Sequence, residues 1–174
     1  LYVTPQRTPG FTDAPTITVT VRRMIISRRV QGLLPEWASF VRGVLELPEC
    51  SPTASREDLV RDAMFYSVRE QINSVLFDHF ESLARKNPNR WQSLIAWHRY
   101  LLAGAALEEP RLRHLLRDTY RFMTSRGELT FPEIIAASQT SSIHTTDEDF
   151  VIWYNPSRYQ ESWINEVFAD LPVP

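Results

Sequence analysis

The strongest constraint on the fold lies between Ser55 and Asn87, where apolar residues recur every three or four positions: Val60, Met64, Val68, Ile72, Val75 or Leu76, Phe80 and Leu83. That spacing draws one continuous apolar stripe along a helix of roughly seven to eight turns. A stripe of that length stays in water unless a broad layer covers it, so the helix calls for a sheet to cross. Ser55, followed three residues on by Asp58, reads as its N-cap in a capping-box variant. This puts Arg56 at the first helical position, where N-terminal amides and a guanidinium would face an anion together. Asn87 and Pro88 then close the long helix and open a second, carrying Trp91, Leu94, Ile95, His98, Leu101 and Leu102. Gly104 weakens its end, and Pro110 opens a third helix with Leu112, Leu115 and Leu116.

The covering layer is predicted upstream. Thr16 to Ile26 alternates apolar Ile17, Val19 and Val21 with Thr18, Thr20 and Arg22, the pattern of a half-buried strand. Ser27 to Gly32 reads as a charged turn, and Leu33 to Leu47 returns as a second strand-like stretch with Trp37, Phe40, Val41, Val44 and Leu45. Beyond Tyr120, Gly127 and Pro132 bracket a short segment and Ile134 to Ala137 suggests a brief helix. Ser138 to Glu148 is a polar loop, Asp149 to Tyr154 a short buried strand, and Tyr159, Trp163, Ile164, Val167 and Phe168 mark a last amphipathic helix. The order predicts a layered α/β protein: a larger αβα subdomain and following helices over residues 1–118, then a smaller α/β piece over 119–174.

Composition removes several function classes. Hydrophobic content of 43% with 23% charged residues is globular, and no apolar run approaches the ~18 residues of a membrane span. The five glycines are too scattered for a Walker loop or a dinucleotide fingerprint, so the chain does not cradle a nucleotide itself. The lone Cys50 suits a reducing compartment and gives no zinc site. His144 beside Asp147, Glu148 and Asp149 reads as a solvated acidic loop, and His98 as a packed histidine with one ring nitrogen bonded to backbone, so no metal is expected. Arg7, Arg22, Arg23, Arg28 and Arg29 make the first third basic, but adjacent Arg22 and Arg23 on a strand point to opposite faces and the net charge is -2. Nucleic acid and membrane are therefore not expected as partners. Trp37, Trp91, Trp97, Trp153 and Trp163 read mostly as core, while Phe11 sits among loop formers and is expected outside. No signal peptide is visible, and a start at Leu1 suggests an excised piece of a longer protein.

The run Leu33, Leu34, Pro35, Glu36, Trp37, with Phe40, Val41, Arg42, Gly43 and Val44, followed after a fixed interval by Ser55, Arg56 and Glu57, resembles the middle domain of the heat-shock protein 90 chaperones, the HtpG family in bacteria. Upstream, TVRRMII and LYVTPQRTPGF are similar to the family's corresponding strands and loop, and ESLARKNPNRWQSL and RHLLR to its helices, so the resemblance covers residues 1 to 118. It implies a cytoplasmic chaperone with three separate parts. An amino-terminal domain binds ATP with Mg, a carboxy-terminal domain forms the homodimer, and this middle segment completes the ATPase and touches unfolded or partly folded clients. Arg56 matches the arginine that reaches the γ-phosphate, and is thus the implied catalytic and ATP-contacting residue. Phe11 falls in a loop associated with client contact. The fragment alone is expected to be no enzyme, the whole protein an ATPase. Two departures stand out: Val60 occupies the position where the family has Gln, and Cys50, Ser51, Pro52 and Thr53 replace Leu-Pro-Leu-Asn. The alternatives are the transducer domain of a gyrase or MutL-type ATPase, which would use lysine, here only Lys86, or a non-enzymatic interaction module built on the aromatics.

Overall fold

The computed structural model describes residues 1–4, 7, 15–139, 152, 154 and 166–167. Two compact units divide the chain, Leu1–Leu112 and Arg113–Pro174. The first opens with β1 (Tyr2–Val3), β2 (Thr16–Val21) and β3 (Met24–Gln31). On β2, Ile17, Val19 and Val21 are buried and the threonines between them half-buried, as alternation requires.

The alternation does not run to Ile26. Arg22 and Arg23 have φ of 51 and 66, and Val21 pairs with Met24, so the two arginines are the centre of a two-residue hairpin turn of the I′ kind. This corrects the single strand expected over Thr16 to Ile26, and the residues read as a charged turn after it are the rest of β3. A left-handed backbone costs a non-glycine residue roughly 1–2 kcal/mol. Glu46 offsets part of that cost, because its carboxylate accepts from the Thr20 hydroxyl and from the Arg23 amide at 3.2 Å. The Thr20 hydroxyl first, then the Arg23 and Arg22 amides, hold the Glu46 carboxyl below the usual carboxylate range.

The stretch Leu33 to Leu47 is not one strand either. A 3-10 turn (Glu36–Ala38) drops Trp37 and Ala38 into the core, and β4 (Val41–Arg42) and β5 (Val44–Glu46) follow on either side of Gly43. Gly43 has φ 147, and a Cβ there would lie 3.0 Å from the Leu1 backbone, so only glycine permits this junction. It lets the chain switch partners. β4 pairs antiparallel with β1, whereas β5 runs parallel to β2 in the order β3-β2-β5.

Helix α1 (Ala63–Lys86) covers this layer, with Phe65, Ile72, Leu76, Phe77 and Phe80 buried. Of the predicted stripe Ile72, Leu76 and Phe80 are buried and Met64 is exposed; Leu76 rather than Val75 faces inward, and Phe65 and Phe77 join the buried face. Turning the aromatic side chains inward removes the most apolar area from water, each worth about 1.5–3 kcal/mol. Trp37 packs against Phe77 and Phe80 at 5.4 and 6.0 Å, and Phe80 against Trp91 at 5.8 Å.

Asn87 caps α2 (Pro88–Trp97) by accepting from the Arg90 amide at 3.2 Å, as its sequence promised. The predicted second helix is interrupted at His98, and α3 (Arg99–Glu108) continues the chain, followed by α4 (Pro110–Arg117). His98 is fully buried and stacks on Phe40, ring centroids 4.1 Å apart and 12° from parallel.

In the second unit β6 (Arg121–Thr124) and β7 (Gly127–Thr130) form an antiparallel hairpin, which periodicity had not indicated, and α5 (Phe131–Gln139) follows. Thr130 and Glu133 close a capping box, with the Glu133 carboxylate accepting from the Thr130 amide at 2.7 Å and hydroxyl at 2.8 Å. The predicted polar loop, the strand Asp149 to Tyr154 and the final helix lie outside the described residues, apart from isolated positions. No helix among the described residues is long and apolar enough to cross a membrane.

Candidate functional site

Residues 47–61 leave the carboxyl end of β5, held to the sheet by the Leu47 amide donating to Thr20 O at 2.8 Å. The loop has two buried feet, Cys50 and Leu59. Pro52 and Leu59 face each other in an antiparallel bridge, and the Val60 amide donates to Ser51 O at 2.8 Å. Between the feet Thr53 acts as a clasp. Its amide donates to Asp58 O at 2.8 Å, and its hydroxyl accepts from the Asp58 amide at 3.3 Å. The Arg56 amide closes a tight turn onto Thr53 O at 2.9 Å.

Arg56 therefore stands at the tip of a clasped loop, not at a helix start. This corrects the sequence expectation, and the physical reason is competition for the cap. Ser55 Oγ lies 3.2 Å from Thr53 Oγ1, and Asp58 bonds the Leu59 amide at 2.8 Å and Arg61 at 3.1 Å. Asp62 takes the role instead, accepting from the Phe65 amide at 2.9 Å. The signal was present in the sequence as Asp62 immediately before the aromatic turn, and a bridge that only tertiary pairing creates made it win. Arg56 has φ 57, and its side chain is exposed. Among the described residues its guanidinium meets no carboxylate.

The chemistry of this tip is a cation with five donors offered outward on a braced backbone. Arg22 and Arg23 lie at the same end of the sheet, since β2 and β5 run parallel with Thr20 opposite Glu46. Val60, half-exposed beside the loop foot, brings no polar side chain.

A groove of about 580 Å³ lies between α1 and the β1 and β5 strands. Val3, Leu45, Leu47, Ile72 and Leu76 line it with Glu46 and Glu49, so apolar walls and carboxylates would repel a triphosphate. No group of three His, Cys, Asp or Glu among the described residues is placed to hold a metal. Burial first, then the charges of Asp62 and Glu49, push the Cys50 thiol up, so it is an inert core residue. Burial lowers the His98 pKa to about 4, against a backbone bond at Thr4 that favours the charged ring; this is the packed histidine that its position implied. Phe11, His144 and the acidic residues beside it, Trp153 and Trp163 lie outside the described residues.

A three-stranded mixed sheet, a 24-residue helix and the shorter helices that follow it define an α/β segment. A family model described as Hsp90 protein matches residues 6–137, and the chain belongs to the Hsp90 family. It is 30% identical over 122 residues to the chaperone protein HtpG of Halorhodospira halophila, covering 68% of this chain and 19% of that protein. To the HtpG of Myxococcus xanthus it is 28% identical over 133 residues, 74% of this chain and 20% of that one. The mitochondrial TNF receptor-associated protein 1 homolog of Dictyostelium discoideum is 21% identical over 113 residues, 65% of this chain and 16% of that protein. The chain thus spans about a fifth of the length of its HtpG relatives. In fold it is similar to the middle domain of a Plasmodium falciparum heat shock protein, with TM-score 0.60 and 12% identity over 88% of this chain and 58% of that one. It is accordingly a segment of an Hsp90-family protein with a fold similar to that middle domain.

Proposed function

We propose that this chain is the middle segment of an ATP-dependent HtpG-like chaperone in which Arg56 reaches the γ-phosphate of ATP bound by a separate amino-terminal domain. The observation that carries this is Arg56 itself: exposed, free of any carboxylate among the described residues, and held in a left-handed backbone by the Thr53 clasp. In the whole protein ATP arrives with its Mg on the other domain, and no residue described here holds either. As phosphoryl transfer proceeds, negative charge spreads over the γ-phosphate oxygens, and a guanidinium fork stabilises it more in the transition state than in the bound ground state. Arginines in such positions contribute on the order of 10³–10⁵ in turnover. Val60 leaves the attacking water without the polar neighbour that a glutamine would give, so turnover slower than with a glutamine there is expected.

Around this reaction stand the remaining parts of the proposal: client proteins contacted through the loop carrying Phe11, a homodimer made by a carboxy-terminal domain, and action in the cytoplasm. The transducer reading has less support. Lys86 is the last residue of α1, 24 residues and so about 36 Å of helix from the loop end.

The test uses the full-length protein. Arg56→Ala should lower ATP turnover at least tenfold with ATP affinity unchanged, and Arg56→Lys should restore only part. Unchanged turnover in Arg56→Ala overturns the reading.

A further inference from the structure

The β2–β3 hairpin carries a second basic surface that the reading above does not use. Its tip is Arg22 and Arg23, and Arg28 and Arg29 follow further along β3, all four exposed. On strand alternation adjacent arginines should part to opposite faces. The left-handed turn removes that objection for Arg22 and Arg23 and presents both from the tip. Glu46, beneath the turn, faces Arg23. The Arg22 amide also faces Glu46, but the side chains of Arg22, Arg28 and Arg29 form no ion pair among the described residues. Arg28 and Arg29 lie where the pairing of β3 with β2 shifts register, between Val30 opposite Ile17 and Ser27 opposite Val19, and both are exposed there, so the hairpin is positive along its length on a chain whose net charge is -2.

The same strand is the end strand of its sheet among the described residues, paired only with β2. An edge guarded purely by charge would not also leave large apolar side chains open. Yet between the two arginine pairs Met24 and Ile25 are 45% and 50% exposed. Arg23 and Arg28 are five steps apart along the chain, about 16 Å at the rise of a strand.

From charge and edge together we infer that β3 is a docking strand for an extended acidic protein segment, which adds to the sheet by backbone pairing. Its carboxylates meet Arg22, Arg23, Arg28 and Arg29, and its apolar side chains cover Met24 and Ile25. Backbone pairing gives affinity at any sequence, and the arginines select for acid. A nucleic-acid strand would meet the charges but leave the edge amides and Met24 and Ile25 unused.

The probe is a fluorescent (Glu-Val)₄ peptide titrated with the 174-residue chain and followed by anisotropy at about 0.05 and 0.15 M salt. It should bind, weaken with salt, and bind at least tenfold tighter than (Lys-Val)₄ or a dT20 oligonucleotide. Arg28→Glu with Arg29→Glu should weaken it at least tenfold. Arg22→Asn with Arg23→Gly should weaken it severalfold while keeping the turn, because Asn-Gly is the favoured pair at those two positions. Unchanged thermal unfolding of both variants shows that surface rather than fold is lost. A (Glu-Val)₄ peptide N-methylated at alternate residues should lose at least tenfold. Equal binding of acidic and basic peptides, equal binding of the N-methylated peptide, tighter binding of dT20, or variants that bind as the parent does each overturn the proposal.

Discussion

Acidification should unfold the first unit through one buried imidazole. His98 is fully buried, stacked on Phe40, and its pKa falls from 6.5 to about 4 in the fold. In the unfolded chain it returns to about 6.5. Between those values the unfolded state binds the extra proton, so stability rises with pH across the window and is lost as pH falls through it. At pH 7 both states are neutral and the contribution is nearly complete. At pH 5 the unfolded ring is almost fully charged while the folded one is not, a loss of about 2 kcal/mol. Below pH 4 the whole gap of about 2.5, or about 3.4 kcal/mol, is gone. The window above pH 5 separates this effect from Glu46 and Glu133, whose lowered carboxyl pKa values bring their own loss only at lower pH. Urea unfolding at pH 7, 6 and 5, followed by tryptophan fluorescence and circular dichroism, measures it. The midpoint should drop by about 1 M over that range, taking m near 1–3 kcal/mol/M. His98→Phe keeps an aromatic ring over Phe40 and has no proton to bind. Its stability should be lower at pH 7, for want of the bond at Thr4, but flat to pH 5. If parent and His98→Phe lose stability in parallel between pH 7 and 5, the imidazole is not the group responsible.

Three further outcomes follow from the loop and its feet. Asp62→Ala should cost about 1 kcal/mol in urea unfolding, the value of a lost N-cap, and Ser55→Ala less than half of that; the reverse order would restore the helix to Ser55. Cys50 should stay unmodified by an aromatic disulfide reagent in the native protein and react at once in urea, because burial and two nearby carboxylates disfavour its thiolate. In the full-length protein Val60→Gln should raise ATP turnover severalfold while leaving Arg56→Ala inactive, measured as steady-state phosphate release; a fall in turnover would show that the exposed valine is not the missing polar partner.

The long helix, the cap at Asn87, the third helix start at Pro110 and the buried role of His98 were legible in the sequence because each depends on residues within a turn or two of one another. Hydrophobic spacing sees such relations directly. The family was legible for a different reason, several spaced motifs in one order from Leu33 to Glu57. What failed did so where partners distant in sequence decide. The alternation from Thr16 onward gave no warning that Arg22 and Arg23 would turn, because the Glu46 carboxylate that steadies the turn arrives with β5. The hairpin β6–β7 was missed for another reason, since its partners are local: only Gly127 and polar neighbours signal it, too little for periodicity over two four-residue strands.

Arg56 divides along the same line. Its identity, and its place between Ser55 and Glu57, belong to the sequence, and they made it the candidate. Whether it stood on a helix N-terminus or on a loop was not decided there, since Ser55 and Asp62 are both competent caps. The bridge from Pro52 to Leu59 and the burial of both loop feet chose Asp62, because pairing across seven residues and two desolvated side chains outweighs one hydroxyl cap. The sequence determined that an arginine would be offered; tertiary structure placed it outward, in a left-handed backbone, on a braced loop at the carboxyl end of the sheet.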